Sequence, residues 1–280
     1  MVSDGLLAFS AGGSREQVQP LLAGIRDASL LGLQRLDLSG CGLEALPEEV
    51  CQLTKLEELN LGGNSLRDLP EAFCALVSLR VLFFLGNAFS TVPSVIGRLP
   101  ALETLSFKSC KLTSIAHDSL PTSLRALILT SNAITALPRS IGTLTRLKKI
   151  MLAQNRLREV PEELCACADL ELIRLSNNEL RAIPPALLRL PKLAWIALAG
   201  NPLAGAAPEV PVNELAMADL EQGELLGKGA SGTVFKCYSE SLGRHVALKI
   251  FHAAAMISDG SPGRWRRATP SHTNSVAHEL

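Results

Sequence analysis

Residues 56–66 read LEELNLGGNSL, alternating apolar and polar side chains before turning through two glycines to Asn64. Alternation with period two marks a strand with one buried face. The stretch that follows, PEAFCALVSL at 70–79, spaces its apolar residues at helical intervals instead. One strand and one short helical return make a unit, and the unit recurs. Its leading leucines are Leu33, Leu56, Leu79, Leu102, Leu124, Leu147, Leu170 and Leu193, 23 residues apart except for a step of 22 from Leu102 to Leu124. A fixed period of this length is the signature of stacked supersecondary units sharing one continuous core.

The ninth position of the eight units holds Cys41, Asn64, Asn87, Cys110, Asn132, Asn155, Asn178 and Asn201. A side chain buried at that corner must satisfy backbone groups left unpaired by the turn, and asparagine supplies both donors and an acceptor. Proline then opens the return segment at Pro47, Pro70, Pro93, Pro138, Pro161 and Pro184, where its fixed φ is useful. The pattern L-x-x-L-x-L-x-x-N-x-L resembles the leucine-rich repeat family over Leu33 to about Leu203, and the returns look most like its intracellular, Ras-associated signalling members. The resemblance implies an α/β solenoid, a right-handed horseshoe of parallel strands with short helical returns, that binds a protein partner on its concave sheet.

At about 4.8 Å per strand that sheet would be roughly 35–40 Å long. Outward strand positions carry Val81, Phe83 and Leu85 in the third unit, then Ile128, Met151, Leu172 and Trp195. Apolar residues on a surface that need not be apolar suggest a contact patch, although strands tolerate such residues anyway. The acids Asp37, Glu57 and Glu58 precede the bases Arg125, Lys148, Lys149 and Arg174 along the face, so a partner of complementary polarity is expected. Residues 1–32 include SREQVQPLLAGIRDASLLG, read as an amphipathic helix capping the open end of the core.

Composition bounds the rest. Twenty-seven basic residues balance twenty-seven acidic ones, leaving no global charge to draw the chain to nucleic acid or an anionic membrane. The short basic cluster of Arg264, Arg266 and Arg267 beside Trp265 does not change that. No apolar run approaches the roughly 20 residues of a membrane span, and the N-terminus lacks the basic start of a signal peptide. Seven scattered cysteines form no paired framework, which points to reduced thiols and a cytoplasmic setting. Cys165 and Cys167 have no second Cys or His cluster to complete four metal ligands, so no metal site is expected.

After residue 203 the repeat stops, and a linker rich in Pro, Ala and Gly occupies 204–216. A second domain follows at 217–257, with a disordered tail expected over 258–280. It contains Leu226-Gly227-Lys228-Gly229-Ala230-Ser231-Gly232-Thr233-Val234, then Val246-Ala247-Leu248-Lys249. A lone G-x-G-x-x-G also opens dinucleotide folds, but there a helix must follow, and here the β-branched and aromatic TVFKCY continues as a strand. Strand, glycine loop, strand, turn and strand bearing a lysine resembles the N-terminal lobe of a protein kinase. That resemblance, closest to leucine-rich repeat kinases of Ser/Thr type, implies ATP contacts from Leu226 to Val234 and from Ala247 and Lys249. Glycines there let backbone amides approach the phosphates, Val234 covers the adenine, and Lys249 bridges the α- and β-phosphates.

Glu279, the only glutamate after Lys249, is a candidate for the lysine's ion-pair partner. Neither H-R-D-x-x-x-x-N nor D-F-G stands in the chain, and magnesium belongs only to a complete kinase. The 280 residues as given are therefore expected not to transfer phosphate. Two readings follow: the N-terminal part of a leucine-rich repeat kinase, or a non-catalytic repeat scaffold with a vestigial kinase lobe.

Overall fold

Three-residue strands are marginal singly, so each must be held by a neighbour in step with it. A computed structural model, describing residues 8–13, 15–203, 220–229, 232–240, 243–251 and 275–279, shows that arrangement. The chain divides into two units, Met1–Ala204 and Gly205–Leu280. The expected linker at 204–216, the loop residues Ala230 and Ser231 and the basic cluster at 264–267 lie outside the described residues.

In the first unit the strands are β1 Ala8–Ser10, β2 Arg35–Asp37, β3 Glu58–Asn60, β4 Val81–Phe83, β5 Thr104–Ser106, β6 Ala126–Ile128, β7 Lys149–Met151, β8 Leu172–Arg174 and β9 Trp195–Ala197. They form one parallel sheet in chain order. Register aligns the middle residues Leu36, Leu59, Leu82, Leu105, Leu127, Ile150 and Ile173, all buried, in one inward row. Parallel sheets are usually covered on both faces, and here only the returns cover one, so the outward rows stay open.

The returns are five-residue 3₁₀ turns at Glu48–Gln52, Glu71–Ala75, Ser94–Arg98, Arg139–Thr143, Glu162–Ala166 and Pro185–Arg189. Each follows a proline with φ between −69° and −56°. Helical periodicity in the sequence takes the 3₁₀ form because five residues are too few for a stable α-helix, and the steeper rise spans the unit with fewer residues. The fourth unit, one residue shorter, has Ala116 where proline would stand and makes no such turn. Ser119, fully buried, instead donates its hydroxyl to the Ala116 carbonyl at 2.8 Å.

The corner asparagines do what the spacing predicts. Asn155 donates Nδ2 to the carbonyls of Leu129 (2.9 Å) and Leu152 (3.0 Å), and its Oδ1 accepts the Ile134 N–H (3.0 Å). Each asparagine thus ties its own unit to the preceding one. At Cys110 the thiol replaces part of this, donating to the Phe84 carbonyl at 2.8 Å as Asn132 Nδ2 does to Phe107. Burial pushes the Cys110 thiol up to about 11, which keeps the donated proton in place. Beside it Phe84, Phe89 and Phe107 pack with ring centroids 4.5–5.1 Å apart, one stacked pair and two edge contacts. All seven cysteines are free. Cys167 donates to the Ile141 carbonyl at 3.3 Å, and burial raises it too, to about 11.

The N-terminal helix α1, Val18–Arg26, buries Val18, Leu21, Leu22 and Ile25 against the end of the core. These side chains join the same apolar core as the repeats. Strand β1 adds a feature the sequence does not announce, pairing Phe9 with Leu36.

The second unit is a small antiparallel sheet of β10 Leu220–Gly229, β11 Gly232–Ser239, β12 Arg244–Phe251 and β13 Ser275–Glu279. The first three are the strands expected around the glycine motif. The tail is not irregular throughout as expected, because Ser275–Glu279 pairs with β12 and covers an edge that would otherwise be open. Cys237 is fully buried, while Leu225, Leu226 and Tyr238 are exposed.

Candidate functional site

Each strand of the repeat sheet turns one side chain inward and two outward, so the open face is built from rows whose members stand 23 residues apart, or 22 across the fourth unit. One row runs Arg35, Glu58, Val81, Thr104, Ala126, Lys149, Leu172 and Trp195; the next runs Asp37, Asn60, Phe83, Ser106, Ile128, Met151, Arg174 and Ala197. All the expected contact residues except Leu85 lie in these rows, and Leu85 follows two positions after Phe83. Phe83, Leu85, Lys149, Arg174 and Trp195 are exposed, whereas Val81, Ile128, Met151 and Leu172 are half-buried. Trp195 owes part of its 57% exposure to β9 being the last strand of the sheet.

Most charge on this face is neutralised between adjacent units. Arg35 meets Glu58 at 3.2 Å, Glu103 lies between Arg80 (3.1 Å) and Arg125 (3.9 Å), and Lys148 meets Glu171 at 2.7 Å. The hydrogen bond from Lys148, more than its charge, holds the Glu171 carboxyl below the usual carboxylate range. Such exposed pairs add little stability, so their main effect is to mask charge. Lys108, Lys149 and Arg174 have no ion-pair partner among the described residues. At the other end Asp37 accepts the Ser39 N–H at 2.9 Å and Glu57 accepts the Gln34 amide at 3.2 Å. The expected polarity therefore reduces to these few groups, and Glu58, Arg125 and Lys148 drop out of it. Lys108 is a site residue that strand alternation misses, because it follows β5 rather than lying within it.

In the second unit the described backbone brings Gly227, Val234 and Lys249 into line across three strands, since Gly227 pairs with Val234 and Val234 with Lys249. Gly229 faces Gly232 at the closed end of the hairpin, beside Lys228 facing Thr233. An added Cβ at Gly223 would lie 2.7 Å from the Lys236 carbonyl oxygen, so two backbones approach closely there. Leu226 is exposed, Ala247 pairs with Lys236 and His278, and Lys249 pairs with Val276. Glu279 stands opposite Val246.

Comparison with known proteins bears on the first unit. Residues 26–127 match the family model described as a leucine-rich repeat region, and 122–180 and 145–203 match the one described as leucine rich repeat. No curated protein matches. Among solved structures, a leucine-rich repeat protein of Leptospira interrogans superposes with a TM-score of 0.63 and 31% identity, covering 66% of this chain and 48% of its own. A plant peptide hormone receptor, RGFR1 in complex with RGF2, gives 0.52 and 28%, covering 64% of this chain and 30% of its own. The chain thus spans about half the length of the first of these and less of the second. No helix among the described residues is long and apolar enough to cross a membrane. Over residues 26–203, the chain is a leucine-rich repeat protein.

Proposed function

We propose that the repeat domain is a protein-binding scaffold that holds its partner on the open face of the sheet. The observation that carries this reading is the apolar break in the third unit. Phe83 is 37% and Leu85 48% exposed, in rows whose flanking members are Asn60 and Ser106, and Gly62 and Lys108. Solvent alone gives no reason to place these side chains among polar ones. The plant receptor of similar fold is described with a bound peptide hormone, which lends support. The seven free cysteines support a cytoplasmic setting.

The test is a pull-down from the source cells with the double variant Phe83→Asp, Leu85→Asp. Leu188→Asp, exposed on a return segment, serves as the control. The face variant should lose its captured proteins and the control keep them. An identical profile for all three chains would sink the reading.

A second reading concerns residues 217–257, taken as an ATP-holding lobe of protein-kinase type within a longer enzyme. It is supported by the alignment of Gly227, Val234 and Lys249 on adjacent antiparallel strands. An acyl-phosphate ATP probe should label Lys249, and excess ATP should abolish the labelling. Labelling that ATP does not compete, or none at all, removes nucleotide binding and leaves the scaffold reading alone.

A further inference from the structure

The last residue of each strand corner adopts a left-handed backbone. Gly40, Gly63, Gly86 and Gly200 do so with φ between 66° and 77°, and Ser109, Ser131, Gln154 and Asn177 occupy the equivalent corner with φ between 55° and 60°. Left-handed backbone favours glycine, and this chain uses glycine there in the other four units. In units four to seven it keeps polar side chains instead. The Ser131 hydroxyl donates to Gln154 Oε1 at 2.5 Å, and the Gln154 amide nitrogen and the Ser109 and Asn177 side chains have no hydrogen-bond partner among the described residues. Three of the four residues are exposed and Ser131 is half-buried.

The same four units carry the unpaired cations. Lys108 belongs to the fourth, Lys149 to the sixth and Arg174 to the seventh, all exposed. Cations outside any ion pair among the described residues, although Lys149 lies near enough to Glu171 to act on its carboxyl, and free hydroxyl and amide donors converge on one chemistry, the carboxylate. The apolar pair Phe83 and Leu85 adjoins this region in the third unit. From β4 to β7 is three strand spacings and to β8 four, about 14 and 19 Å, which an extended chain crosses in roughly four to six residues.

We infer, resting on the docking-face reading above, that units three to seven take an acidic peptide segment of a partner protein. One apolar side chain seats on Phe83 and Leu85, and Asp or Glu residues about four to six positions away meet Lys149 and Arg174. The corner residues Ser109, Gln154 and Asn177 donate hydrogen bonds along one rim. Lys108 supplies the charge nearest the apolar anchor.

The test uses the full chain and two fluorescein-labelled 12-residue peptides sharing a Leu-Phe start, one continued with glutamates and the other with lysines, followed by anisotropy. The acidic peptide should bind about tenfold or more tightly than the basic one. Lys108→Glu, Lys149→Glu, Arg174→Glu together should weaken it by about tenfold or more. Gln154→Gly with Asn177→Gly, which relieves backbone constraint and so keeps the fold, should also weaken it. Equal binding of the two peptides, no binding of the acidic one, unchanged affinity in the charge variant, or displacement by an equal concentration of 12-mer oligothymidylate each overturns the inference. If the basic peptide binds better and Phe83→Asp abolishes it, the docking face stands and its acidic specificity falls.

Discussion

Gly97→Ala is expected to destabilise the repeat domain by about 3 kcal/mol or more, at the upper end of what overpacking costs. Gly97 lies in the return of the third unit, Ser94–Arg98, and the irregular fourth unit passes directly over it. A Cβ there would fall inside the van der Waals envelope of the Asp118 carbonyl oxygen and 2.9 Å from its carbon. The obstacle is backbone, held by the buried Ser119 one residue on, so no side chain can rotate aside. Gly42→Ala isolates the effect: its φ is +65° and its added Cβ meets nothing within 4 Å, so it carries backbone strain alone, about 1 kcal/mol. Urea denaturation of the two variants should separate them clearly. Equal midpoints would mean that the fourth unit yields freely, contrary to the packing described.

The fourth unit also shows what the sequence can and cannot tell. Its shorter step and missing proline are plain in the letters, yet the repeat pattern alone gives it the same return as the others. That the missing turn brings Asp118 onto Gly97 is a packing consequence, invisible until neighbouring units are stacked. The eight unit starts, the inward leucines and the corner asparagines are legible because each recurs with the period and has one physical role. Strand β1 is not, since Ala8-Phe9-Ser10 has no repeat around it and forms only because β2 offers an edge. The outward rows follow from alternation alone, so Phe83 and Arg174 can be placed in advance. That Met151 stands between Ile128 and Arg174 across the sheet lies beyond any single repeat. The left-handed corner is half legible: the glycines at 40, 63, 86 and 200 announce it, while Ser109, Ser131, Gln154 and Asn177 conceal it. In the second unit local signals mark β10 to β12, but β13 pairs across a long separation that no local pattern encodes.

Asn155→Ala should cost about 3 kcal/mol, because truncation takes the acceptor from the Ile134 N–H where water cannot replace it and removes one of two asparagine donors from each of the Leu129 and Leu152 carbonyls, which Asn132 and Asn178 still serve. Asn155 is only 8% exposed, and the groups it serves, Leu129, Leu152 and Ile134, belong to two successive units. Removing it therefore loosens a junction between units, and in a solenoid each unit depends on its neighbours for stability. Asn155→Cys is the informative comparison. Cys110 shows that a thiol at this corner still donates to the carbonyl of the preceding unit, while Phe89, which stands where Leu66 and Leu112 receive an asparagine Oδ1, gets no such acceptor. A thiol keeps the donation to the preceding unit, so Asn155→Cys should lose less than Asn155→Ala, and Asn201→Ala, half-exposed at the last corner, less again. Chemical denaturation, with amide exchange at Ile134 as a local readout, measures all three. If Asn155→Ala falls within about 1 kcal/mol of the parent, then the corner hydrogen bonds do not hold the units together and apolar stacking alone must do so.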